Sequence, residues 1–418
     1  MLSAAVLASG ATAAAAAPTG PAAHGNLTSQ QAATPAGAVV VTTAPSKFGP
    51  VLVTGSGMAL YVFTGDGFPF SPTGPQLDCT ALNKAPSGTP CTTAWPPLLA
   101  TGNLVANGGV HQSGLGTVTR NGVTQVSYFG KPLYEFAKDT APGQVNGEDA
   151  AGFSGLWYLD HVSGRPVAAK AAVHTEVSPN GAVLSSPTAS GARTLYLLSF
   201  DGPGMTTCAG PCAAVWPPLL TSDRAQAGPG LSRHGLGAFR RPDGTWQVTY
   251  RRHPLYFFAL DLGAGAPAGL TNGQGFIDAD SDGIWYTVLP QGTPDTGTAT
   301  TGSETAGRAT ILSVTGGLTK TTATLYAYSL DTPTASNCST ACAINWPPVL
   351  TTTAPKAAGG ASAALLGVIP RGDGTFQVTY NRHPLYFFAH ALNPGTTGAG
   401  LIVNGGTFNT ITTAGTAR

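Results

Sequence analysis

Arg252-His253-Pro254-Leu255-Tyr256-Phe257-Phe258-Ala259 returns 130 residues later as Arg382–Ala389. A looser copy, Gly-Lys-Pro-Leu-Tyr-Glu-Phe-Ala, runs from Gly130 to Ala137. Three shorter relatives alternate with these: Leu60-Tyr61-Val62-Phe63, Leu195-Tyr196-Leu197-Leu198 and Leu325-Tyr326-Ala327-Tyr328. One aromatic strand thus occurs six times in two alternating forms. Such internal periodicity is read before any local assignment, because it sets the architecture. It predicts three tandem modules, each built from two pseudo-equivalent halves.

Working outward from the strand, each module repeats one order. A Leu-Tyr strand leads to a cysteine pair, then Trp-Pro-Pro, then a Gly-Leu-Gly-like segment, then the Pro-Leu-Tyr strand. Trp95 to Tyr134 is 39 residues; Trp216 to Tyr256 and Trp346 to Tyr386 are 40 each. Spacing this constant marks scaffold and not loop, since loops tolerate insertion. Asp243-Gly244-Thr245-Trp246-Gln247-Val248-Thr249-Tyr250 recurs as Asp373–Tyr380. Trp246, Val248 and Tyr250 alternate with polar residues, which predicts a half-buried strand after an Asp-Gly turn. No stretch shows the 3.6-residue periodicity of a long amphipathic helix. The expected class is all-β, with a helical turn at each cysteine pair.

The expected divisions are a signal-like segment at 1–17, a flexible Ala/Pro/Thr-rich leader at 18–46, and repeat modules at 47–160, 173–290 and 308–410. A Gly/Thr/Pro/Ser linker at 291–307 is expected to be mobile. Met1–Ala17 is rich in Ala, Val, Leu and Ser, and Ala15-Ala16-Ala17 offers a small-residue cleavage site. It lacks a basic n-region, which leaves open a true start upstream. No cysteine lies near it for lipid attachment. No later run reaches the roughly 18 apolar residues that a membrane span needs. The expectation is an exported protein, secreted or at the cell surface.

Of the 418 residues only 9% are charged, and the net charge is +1. Without Lys/Arg clusters, nucleic acid is not an expected partner, nor is an anionic membrane surface. A partner in the cell envelope or extracellular space is expected, of unknown identity. The sequence contains no nucleophile elbow, His-Glu-x-x-His, P-loop or dinucleotide fingerprint, and the chain is read as non-enzymatic.

The six cysteines fall two per module: Cys79/Cys91, Cys208/Cys212 and Cys338/Cys342. An even count in an exported chain reads as disulfides. Residues four apart on a helical turn stand about 6 Å apart, within disulfide reach. Rival uses are a catalytic dithiol or a metal site, although neither Cys-x-x-Cys nor two further close ligands are present.

In the aromatic strands a Tyr is followed two residues on by a hydrophobic, usually aromatic, partner and three later by Asp. The copies are Tyr61/Phe63/Asp66, Tyr134/Phe136/Asp139, Tyr196/Leu198/Asp201, Tyr256/Phe258/Asp261 and Tyr326/Tyr328/Asp331. The last copy, Tyr386/Phe388, has Ala391 in place of Asp. Residues i and i+2 share a strand face. The Asp, past the strand end, can bond turn N–H groups or a Tyr hydroxyl. The motif reads as a core aromatic ladder with a turn-capping Asp, or else as a ligand groove lined by Tyr and Asp.

Together with the cysteine pair before Trp-Pro-Pro, these residues resemble the secreted-repeat family of predicted bacterial lipoproteins with a Tyr-x-(Phe/Trp/Tyr)-x-x-Asp motif. The resemblance covers all three modules. It implies export and a repeated β module, and no defined activity. The chain departs from the family in lacking a lipobox cysteine. Its third module lacks the Trp-Tyr found at Trp157-Tyr158 and Trp285-Tyr286, so that module is expected to be truncated.

Two constellations stand apart. Asp278, Asp280 and Asp282, followed by Gly283, have the Asp-x-Asp-x-Asp-Gly form of a calcium loop, although Leu289 stands where an EF-hand has Glu. The rival reading is a solvated acidic turn. His253 and His383 precede Pro in equivalent strands, and Lys131 fills that slot in the first module. They read as surface positions or as ligands. No cofactor is expected apart from calcium at the Asp loop. The working function is a binding or structural repeat protein. The alternative is an extracytoplasmic redox or metal/haem-handling module using His253, His383 and the cysteine pairs.

Overall fold

The computed structural model describes residues 37–66, 78–120, 122–179, 181–263, 265–278, 283–297, 299–306, 309–316, 319–338, 341–371, 375–389 and 398–418. The signal-like segment and most of the leader lie outside them. Residues 37–418 form one compact unit. The fold is all-β, in three modules, with one disulfide in each.

The second module displays the plan. Ala172–Ser178 and Gly181–Thr188 form a hairpin, with Gly191–Thr194 on one edge and Gln226–Ala227 running parallel on the other. Tyr196–Leu198 pairs antiparallel with Gly283–Thr287, which also pairs with Phe276–Asp278. Leu236–Arg240, Trp246–Tyr250 and His253–Pro254 form a meander. Equivalent pairings recur in the first and third modules. Single bridges lock the pieces together: Tyr196 to Tyr256, Pro218 to Tyr256 and Leu220 to Gln247.

Short strands with both faces buried explain the aromatic motif. Tyr61 and Phe63 point into a cluster with Trp95, Trp157 and the disulfide. Leu60 and Val62 point the other way, into an apolar cluster that runs through all three modules from Val41 to Ile411. The modules therefore share one continuous core. At the first junction Ala189 N–H donates to the Asp149 carbonyl and Ala151 N–H to Ser190 Oγ, each at 2.9 Å. The corresponding strands at the second junction, Phe276–Asp278 and Thr319–Thr324, lie against each other.

Five expectations are corrected here. The segment read as a mobile linker contains the strand Thr300–Ala306, paired with Ala309–Gly316 and Lys356–Ala357. The expected leader likewise ends in the strand Val39–Ser46. Both are first strands of a module hairpin; the Thr/Ser/Gly composition of the former hides its pairing because it has no apolar stripe. The third module does have a closing strand, Gly406–Thr410, in which Phe408 takes the place of Trp. The disulfides do not staple residues of one helical turn. Cys208 precedes the turn Pro211–Val215 and is tied back onto it through Cys212, with Gly210 at φ +57 making the reversal. Fifth, in the meander strand Gln247 is fully buried while Trp246 is half exposed. Gln247 Nε2 donates to the Leu255 carbonyl at 2.9 Å, and Gln377 and Gln125 do the same in their modules. In Gln247 and Gln377 the amide oxygen is bonded as well, by Arg241 and Arg371, so a buried amide is stable there.

Gly147, Gly273 and Gly398 each face the edge of the module Trp. A Cβ on Gly273 would fall 2.6 Å from Trp216 and 2.9 Å from Phe258. Gly273→Ala is expected to cost about 1–3 kcal/mol through this overpacking. Gly263→Ala, also outside the left-handed region and with nothing nearer its Cβ than 3.9 Å, is the control for the change of residue type alone. Urea denaturation of both variants checks the difference.

Candidate functional site

At the centre of each module the two halves meet at one pair of tyrosines. Tyr61 N–H donates to the Tyr134 carbonyl at 2.8 Å, and Tyr134 N–H returns the bond at 2.9 Å. Tyr196 with Tyr256 and Tyr326 with Tyr386 make the same reciprocal pair. Around this local two-fold the rings form a closed box. Trp95 stacks on Trp157 at 3.9 Å between centroids and 1° between planes. Phe136 covers the outer face of Trp95, and Phe63 that of Trp157. Tyr61 stands edge-on to Trp95 and Tyr134 edge-on to Trp157. The second module stacks Trp216 on Trp285, and the third Trp346 on Phe408 at 3.7 Å.

The Asp residues cross over. Tyr61 Oη donates to Asp139 at 2.6 Å, Tyr196 Oη to Asp261 at 2.5 Å, Tyr256 Oη to Asp201, and Tyr386 Oη to Asp331 at 2.6 Å. Each of these four tyrosines thus bonds the Asp of the opposite half. The remaining acceptor capacity of each Asp ties down the following loop. Asp139 accepts from Asn146 N–H at 3.0 Å, Asp201 from Thr207 N–H at 2.8 Å, and Asp331 from Asn337 N–H at 2.7 Å. Asp66 accepts from Cys79 N–H at 3.4 Å. Gly147, Gly273 and Gly398 N–H groups complete the hydroxyls of Tyr61, Tyr196 and Tyr326. Ala391, the missing Asp of the sixth copy, lies outside the described residues. Burial, then the Asp139 carboxylate, raises the Tyr61 phenol far above its ordinary range. Burial lifts Asp201 to about 6 despite its Tyr256 bond.

The other sequence candidates are dispersed. The disulfides sit at the rim of each box, with Cys79, Cys91, Cys208, Cys338 and Cys342 buried. His253 and His383 are half-buried in their two-residue strands, opposite Tyr250 and Tyr380. Lys131, in the same slot, donates to the Gly164 carbonyl at 2.5 Å. Asp280 and Asp282 lie outside the described residues; the backbone of Asp278 pairs with Gly283. No group of three metal-ligating side chains is assembled among the described residues.

Two buried acids of the first module went unnoticed in the sequence. Glu148 occupies the place of Gln274. Its Oε2 accepts from Leu159 N–H at 2.6 Å, as Gln274 Oε1 accepts from Thr287 N–H. Burial pushes the Glu148 carboxyl up to about 9. Asp160 is fully buried where the other modules have Val288 and Ile411, and burial lifts it to about 7. Alignment of the modules on their closing strands is the signal that finds both.

Residues 116–159 match the family described as a secreted repeat of unknown function. That stretch runs from the meander through Tyr134, Asp139 and Trp157, which is the second half of the first box. A secreted repeat belongs outside the cytoplasm, in the extracellular space or at the cell surface. No curated protein and no solved structure matches the chain. No helix among the described residues is long and apolar enough to cross a membrane.

The crossed geometry is testable by double-mutant cycles. Tyr196→Phe should couple to Asp261→Asn by about 1–2 kcal/mol and far less to Asp201→Asn, its neighbour in sequence. For Glu148 the folded pKa stands above the unfolded value, so the native state holds the extra proton. Stability from this group is full below about 4.5 and declines as pH rises toward 9. Glu148→Gln should therefore gain on the order of 1 kcal/mol or more over the parent at pH 8 and little at pH 4, read as urea midpoints.

Proposed function

We propose that the chain is an extracellular or cell-surface, non-enzymatic repeat protein with a binding or structural role. One observation carries this reading. In each module a Tyr hydroxyl bonds the Asp of the opposite half, and the aromatic rings stack on one another. Side chains engaged in this way build the fold and are not presented to a substrate. The disulfides favour the same role. A module of this size gains from covalent closure what its small core does not supply. Binding, in this reading, falls to surfaces between modules.

The test compares two outcomes. The purified protein is expected to show no accessible thiol before reduction and denaturation, and no stoichiometric copper, iron or haem band. Cysteine pairs that cycle readily under mild thiol, or a bound transition metal, would overturn the reading in favour of redox or metal-handling work. Calcium at the Asp278 stretch belongs to the same proposal as an auxiliary stabiliser. A melting temperature unchanged by chelator removes it.

A further inference from the structure

Between the first two modules lies a cleft of about 340 Å³. That is within the range of small-molecule sites. Its walls are apolar: Phe63 and Tyr158 come from the first module, Pro218 and Leu220 from the second. Four charged side chains reach it, and three of them are already engaged. Arg241 is nearly fully buried; its Nη1 donates to Gln247 Oε1 at 2.6 Å and its Nη2 to the Cys208 carbonyl at 3.0 Å. Asp243 lies 3.6 Å from Arg241 Nε and accepts from Thr245 N–H and Oγ1. Asp66 caps the Cys79 loop.

Lys131 is different. Its ammonium has three donors, and the Gly164 carbonyl takes one. A carbonyl is not a counter-ion. The acid that senses it is Asp160, which is fully buried in an apolar slot. A half-buried cation at the edge of an apolar cleft favours a ligand with an anionic head and an apolar body. The corresponding strand position of the other modules holds His253 and His383, so this feature belongs to the first junction.

We propose that the cleft between the first two modules binds small amphiphilic carboxylates, with the anion on the Lys131 amine and the apolar body between Phe63, Tyr158 and Leu220. The inference rests on the binding side of the reading above. It gives the module junction a ligand class.

Isothermal titration with 4-phenylbutyrate, on the intact protein, is the test. Saturable binding is expected, and 4-phenylbutyramide should bind at least tenfold more weakly. Lys131→Gln should lose tenfold or more for the acid. Ala213→Phe, at a half-buried wall position, should close the cleft and abolish binding at an unchanged melting temperature. Trp246 follows the wall residue Thr245 and is half exposed, so its fluorescence offers a second readout. A tetrapeptide ending in Val-Phe, with free or amidated C-terminus, separates the sources. Preference for the free peptide over phenylbutyrate assigns the site to peptide C-termini, and the reverse to free organic acids. Equal binding of acid and amide, an unaffected Lys131→Gln, or no saturation up to roughly 10 mM overturns the site. These failures leave the thiol and metal measurements, made on ligand-free protein, to decide the scaffold reading independently.

Discussion

Each module is held by a pair of tyrosines that bond each other twice through the backbone, and from each pair a hydroxyl crosses to the aspartate of the opposite half. Tyr196 and Tyr256, which both do so, show the logic in full. The backbone pair alone would fix two strands at one point and leave them free to splay. The crossed Tyr–Asp bond adds a second fixed point some residues away, on the other half. A buried phenol and a buried carboxylate are each costly without a partner, and together they satisfy one another. The Asp then passes the constraint outward, because its second oxygen takes the N–H of the loop that leads to the next element. Removing either member would leave a loop, a strand and a ring unsupported together.

The aromatic stack depends on that frame. Parallel rings at 3.7–3.9 Å need two strands held at one separation. Edge-on tyrosines set against the Trp faces supply the favourable quadrupole arrangement. Only a residue without a side chain fits where Gly147, Gly273 and Gly398 pass the Trp edge. The third module shows what the frame tolerates. Phe408 replaces Trp, Tyr328 replaces Phe63 on its outer face, and the planes remain 1° apart. The box specifies flat rings in fixed planes more strictly than it specifies which rings.

Much of this was legible in the sequence. The i, i+2 spacing of Tyr61 and Phe63 placed both on one face, and they do share one cluster. The cysteine pairs read as staples and are staples. What could not be read was which half each Asp serves. Spacing within a half says nothing of a partner 55 to 78 residues away. Gln247 misled for a related reason: an alternating pattern assumes one wet face, whereas this strand is covered on both and its amide bonds are internal. Thr300–Ala306 was hidden because a strand paired on both sides can be held by ladder bonds with no apolar stripe to announce it.

The modules share a frame but not a chemistry. Glu148, Asp160 and Lys131 are confined to the first, where the second has Gln274, Val288 and His253. Glu148 and Asp160 are buried acids whose neutral forms the fold favours, and a neutral Glu148 imitates the amide it replaces. Retaining ionisable groups in an interior that works without them costs stability as pH rises. Lys131 offsets part of that cost at Asp160, since its charge pulls the carboxyl down while burial pushes it up. Lys131 therefore serves two places: it acts on a buried acid and it lines the junction cleft. In a chain with 9% charged residues, such a concentration in one module is the point where this repeat stops being a copy of its neighbours.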